Sequence, residues 1–299
     1  MTQAIWVILG VLAVPVVLLL ATTGCALDTE GIPSESIGKT RPPGLPYKDT
    51  VLDTASLVGY WRLGEKNAVL TTPEPKAENA FWPGNLDGGY MNPAGTTLEE
   101  EGALPNDPNT AAQFAGGFVD VPSMPNGDLT PLTGGEVTVE LWAKLPDLPN
   151  PVPDWALLVG CYEPPDDTMA KGYRLRVRTV TDQNDMIEIE ANIGGMPAAF
   201  TQQVPLDTGW HHVVLTYPNA LGHAELYVDG QASKSPTPGP FDLVTTQSLR
   251  FAGGYSVEIG IVTDPYSGWL DEVALYLNYL DPAEVNNHYN AAPNAAQGS

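Results

Sequence analysis

Basic residues are scarce: 13 Lys and Arg stand against 36 Asp and Glu, for a formal net charge of −23. That imbalance opposes the phosphate backbone, so no nucleic acid partner is expected. Cysteine (2) and histidine (4) are also sparse. Cys25 ends an apolar leader, while Cys161 lies in the apolar run from Trp155 to Cys161. They do not form an obvious pair, and a buried inert thiol is expected at Cys161. No His-Glu-x-x-His, Gly-rich phosphate loop or Ser/His/Asp constellation occurs, which removes the commonest metalloprotease, nucleotide and acyl-transfer signatures. Glycine and proline are plentiful, 30 and 29, and without period. They imply many turns between short strands, and the roughly 240 residues after the leader suit one all-β domain.

From Ala4 to Thr23 there is no charged residue. Residues 1–25 therefore read as a signal peptide or membrane anchor, long enough to span a bilayer. Thr22-Thr23-Gly24-Cys25 resembles a bacterial lipobox, which makes Cys25 the expected lipidation site; a retained anchor is the competing reading. Either way the rest of the chain is expected outside the cytoplasm. Residues 26–50, with Arg41-Pro42-Pro43-Gly44, read as a semi-extended tether. The β pattern is expected from Val51 to residue 292, and residues 293–299 as a frayed tail. In Val137–Lys144, alternation puts Val137, Val139, Leu141 and Ala143 on one face. Thr138, Glu140, Trp142 and Lys144 share the other, and a Trp among them implies that both faces are part-buried. Folding residues 172–194 about Gln183 sets Arg178 opposite Glu188, Arg176 opposite Glu190 and Arg174 opposite Asn192, a ladder that fixes register. Asp281-Pro282-Ala283-Glu284 is a capping box that starts a short C-terminal helix.

The central stretch is Trp210-His211-His212-Val213-Val214-Leu215-Thr216-Tyr217, followed by Ala224-Glu225-Leu226-Tyr227-Val228-Asp229-Gly230, two β-rich runs with a closing Asp-Gly turn. Four further motifs accompany it: Leu57 to Glu65; Ala111 to Phe114 with Phe118 to Pro122; Val137 to Lys144; and Gly268 to Tyr276. Together, over roughly residues 55–292, they resemble the laminin-G-like, concanavalin A-like lectin-glucanase domains. The resemblance implies an all-β, two-sheet antiparallel jelly-roll sandwich, with an N-terminal apolar helix before it and a short C-terminal helix. It says little about ligand, because one scaffold carries many functions.

Candidate chemistry is thin. Sugar-cleaving enzymes of this fold carry alternating acids on one strand, and Glu188 and Glu190 are the sharpest candidate pair. They stand about 7 Å apart and face arginines, so a paired-carboxylate mechanism is not expected. His211 and His212 point to opposite faces and cannot chelate one ion together. The resemblance offers calcium as a possible cofactor, with Asp87, in a worn version of the family's loop, and Asp271, on the closing strand, as ligands. For sugar binding, Trp82 and Trp155 lie in proline-bearing loops and are the expected aromatic platforms. The expected function is a non-catalytic, surface-displayed binding or adhesion module for a glycan or a surface protein. The alternatives are a structural virion or surface-layer component and a glycoside hydrolase of the same fold.

Overall fold

The computed structural model describes residues 46–123, 129, 135–145, 155–163, 171–180, 186–194, 199–207, 209–218, 222–256 and 261–292. The leader with Cys25, most of the tether, the turn at residues 182–185 and the tail fall outside them. No described helix is long and apolar enough to cross a membrane. In chain order the strands are β1 (Leu57–Trp61), β2 (Lys76–Ala77), β3 (Gly88–Met91), β4 (Thr96–Glu101), β5 (Thr110–Ala115), β6 (Phe118–Val121), β7 (Val137–Lys144), β8 (Ala156–Tyr162) and β9 (Gly172–Thr179). They continue as β10 (Met186–Ile193), β11 (Phe200–Pro205), β12 (His211–Tyr217), β13 (Glu225–Val228), β14 (Gln231–Lys234), β15 (Leu249–Phe251), β16 (Gly254–Ser256), β17 (Ile261–Thr263) and β18 (Ser267–Tyr276). Two helices, α1 (Tyr47–Leu52) and α2 (Pro282–Asn290), bracket them.

Sixteen of these strands make two eight-stranded antiparallel sheets, and β16 pairs with β17 in a separate two-stranded one. The first runs β14-β13-β12-β7-β18-β5-β4 with β1 also on β18, and the second runs β11-β10-β9-β8-β15-β6-β3-β2. Alternation decides which residues meet between them. Val137, Val139, Leu141 and Ala143 of β7 and Val213 and Leu215 of β12 enter one core with Leu175 and Val177 of β9 and Ile187 and Ile189 of β10. Asp229 and Gly230 take φ of 51° and 75° in the two-residue turn between β13 and β14, where left-handed backbone suits the twist of the hairpin. The ladder pairs as its alternation requires: Arg178 with Glu188, Arg176 with Glu190 and Arg174 with Asn192.

The outer face of the first sheet carries a second cluster, and here the structure departs from expectation. Tyr47 to Leu52 is a helix, so the domain reaches back at least to Tyr47 and Val51 does not begin a strand. Tyr47, Trp142, Val214, Tyr276 and Val285 pack together under α1 and α2. At its centre Glu140 is fully buried. Its carboxylate accepts from Tyr47 Oη (2.7 Å) and Tyr276 Oη (2.9 Å), and it contacts His212 Nε2 (2.7 Å) and His288 Nδ1 (2.9 Å). Burial alone would push this carboxyl up; the His288 charge and the bonds from His212 and His288 prevail and hold it well below the usual range. Asp281 and Glu284 form the capping box that starts α2 and so delivers His288.

Glu140→Ala strips two tyrosines and two histidines of their shared acceptor in a dry site. We expect a loss of about 3–5 kcal/mol in urea-denaturation stability, and a loss below about 1 kcal/mol would show that the cluster does not hold the helices.

Candidate functional site

Consecutive residues on a strand point to opposite faces, yet Asp271 and Glu272 of β18 converge. The register between β18 and β7 slips between Asp271 and Ala274, and Glu272 adopts φ 54°. This bulge leaves Leu270 and Val273, three apart, both in the inner core. Both carboxylates then meet Asn109, whose Nδ2 lies 3.2 Å from Asp271 Oδ1 and from Glu272 Oε1. Asp271 Oδ2 accepts the Ala103 N–H at 2.8 Å. Glu272 accepts from Tyr60 Oη and from Arg62 Nη2 (2.7 Å) and Nε (3.0 Å). Arg62 Nη2 also reaches Asp107 at 2.8 Å. One guanidinium thus ties the exit of β1, the bulge and the loop at 102–109 together. Burial pushes the Asp271 carboxyl up to about 8, a rise that the Ala103 N–H and the Arg62 charge only partly offset.

The anchored loop borders a groove of about 490 Å³, lined also by Lys144 at the end of β7 and Trp210 just before β12. Ala103 and Leu104 are sunk into the outer cluster. Asp107 Oδ1 takes the Asn109 N–H at 2.8 Å, and exposed Asn106 sits in left-handed backbone at φ 68°. Lys144 is half-buried, its ammonium 5.3 Å from the centroid of the Trp269 ring. The indole of Trp269 in turn donates to Glu100 at 3.3 Å. Amides, carboxylates, an ammonium and an indole therefore border one concavity of ligand size.

The aromatic residues proposed from sequence lie elsewhere and apart. Trp82 is 51% exposed on the loop before β3. Buried Asn79 braces that loop, accepting the Phe81 N–H (3.1 Å) and donating to the Asn85 carbonyl (2.9 Å). Trp155 is half-buried before β8, with the Arg178 and Arg176 guanidiniums 4.3 and 5.2 Å from its ring centroid. Register from β3 through β6 and β15 to β8 puts the Trp82 loop at the Tyr162 end of β8, opposite Trp155. Asp87 Oδ1 accepts the Asn79 and Gly84 N–H groups (3.1 and 3.2 Å), a loop-bracing role. Asp87 and Asp271 thus serve separate hydrogen-bond sets, and among the described residues no three His, Cys, Asp or Glu side chains gather as metal ligands. Their donor-filled oxygens do not fit a shared calcium centre, which takes six to eight oxygen ligands. Glu188 and Glu190 are bound by Arg178 (2.6 Å) and Arg176 (2.8 Å). His211 meets Asp229 (2.8 Å) and His212 meets Glu140, on opposite sides of the strand. Cys161 is buried, its thiol pushed up to about 12 by burial.

Residues 116–286 match the family described as the concanavalin A-like lectin/glucanases superfamily. The chain belongs to that superfamily. Solved structures of similar fold include Trypanosoma rangeli sialidase in complex with 2,3-difluoro-KDN and in complex with sialic acid, at 18% and 17% identity, each with a TM-score of 0.53. Each match covers 82% of this chain but 34% of the sialidase, so the chain spans about a third of its length. The binding domain of botulinum neurotoxin DC in complex with SialylT aligns at 10% identity and a TM-score of 0.48, over 80% of this chain and 52% of that one. At 17–18% identity the likeness to the sialidase is one of fold. No curated protein matches the sequence.

The raised Asp271 carboxyl fixes a sign. A folded pKa above the unfolded one contributes stability at acidic pH that is lost as pH rises from about 4 through about 8. Urea-denaturation free energies should show this decline in the wild type and a shallower one in Asp271→Asn; an unchanged slope in the variant would refute the assignment.

Proposed function

We propose that this superfamily member is a non-catalytic, surface-displayed module that binds glycan in the groove beside the 102–109 loop. The observation that carries the reading is the meeting of exposed Asn106 and half-buried Lys144 with the edge of the largely buried Trp210 around one 490 Å³ concavity. A sugar presents a rim of hydroxyls, which an exposed side-chain amide and an ammonium match, with a narrow indole edge beside them. The non-catalytic part rests on Glu188 and Glu190, whose pairing with arginines leaves neither placed as acid or nucleophile. Display outside the cytoplasm rests on the uncharged run from Ala4 to Thr23. A second reading, a structural component of a virion or surface layer, is favoured by Trp82, whose half-exposed indole on a braced loop suits a subunit contact.

A glycan array probed with the wild-type domain, with and without chelator, tests this. Asn106→Gly keeps the left-handed backbone while removing the amide, and it should weaken binding about three- to tenfold. Loss of signal with chelator would restore calcium as a cofactor, and released product would make the protein a hydrolase. Absence of glycan binding together with Trp82-dependent self-assembly would favour the structural reading.

A further inference from the structure

In a chain with 36 acidic residues, four of the six described lysines have an acidic neighbour within 4 Å. Lys66, Lys76, Lys171 and Lys234 lie within 4 Å of Glu99, Asp87, Glu163 and Glu225. Among the described lysines the exceptions are Lys48, exposed on α1, and Lys144. Lys144 is half-buried, and the nearby acids are engaged elsewhere or at the rim: Asp107 with Arg62, Glu100 with the Trp269 indole, Glu101 exposed. The Trp269 ring holds its ammonium at 5.3 Å without neutralising it. Among the described residues no carboxylate lies within 4 Å of this ammonium, which is partly out of water and borders the proposed groove, so an anionic partner is favoured there.

Resting on the groove reading above, we propose that the ligand is an anionic glycan whose carboxylate or sulfate pairs with Lys144. The exposed Asn106 amide beside it then meets a hydroxyl of the charged sugar or its neighbour. The net charge of −23 repels such a ligand at long range, so recognition depends on the local pair and not on steering.

The test uses the neutral, carboxylated and sulfated members of a glycan array, with wild type, Lys144→Gln and Lys144→Arg, each checked by thermal melting. Wild type should favour charged members about tenfold over neutral counterparts. Lys144→Gln should bind both classes at the neutral level, and Lys144→Arg should keep the preference. The carboxylated and sulfated arms identify which anion is taken. Equal binding of neutral and charged members by wild type, or an undiminished preference in Lys144→Gln, overturns the proposal while leaving the groove reading intact. Binding of no glycan by wild type overturns both.

Discussion

The outer face of the first sheet depends on one desolvated carboxylate. A lone Glu140 anion at this depth would be intolerable, so it recruits a ring of partners from far apart in sequence: Tyr47, His212, Tyr276 and His288. Each partner brings its own element, so satisfying the charge also positions α1 and α2. The helices then cover Trp142 and Val214, which would otherwise leave the sheet apolar on both sides. The inner face of this sheet already packs in the main core; the polar cluster and the apolar patch around it add a second layer outside it.

The bulge in β18 solves a different problem with the same economy of means. By placing Asp271 and Glu272 on one side, it lets Asn109 and Arg62 reach both the closing strand and the 102–109 loop. The loop is thereby made part of the sandwich, and its free edge becomes a fixed border of the groove. For the proposed glycan site, a border supported in this way leaves little ordering to do on binding.

Much of this was legible in the residues. The strand motifs fall on β1, β5, β6, β7, β12, β13 and β18, because alternation of apolar side chains is a local signal. The Arg–Glu register was legible for a further reason: complementary charges permit one pairing and penalise a slip by one. Helix α1 was not legible, since six residues after Pro46 hold too little periodicity. The bulge left a faint trace, apolar Leu270 and Val273 spaced by three where a regular strand spaces them by two. The groove had no trace at all. Lys144, Trp210 and the 102–109 loop are separated by tens of residues, and only sheet order brings them side by side. Trp82 and Trp155 drew notice as aromatic residues near prolines, a property that says nothing about which end of a sheet each occupies.

The two helices touch as well as share a carboxylate: the rings of Tyr47, at the start of α1, and His288, near the end of α2, have centroids 6.4 Å apart. The first and last elements of the sandwich are therefore neighbours in space. Backbone connectivity at that seam is interchangeable with connectivity elsewhere, so a circular permutant that joins the ends of α1 and α2 and reopens at an exposed turn keeps every strand pairing described above.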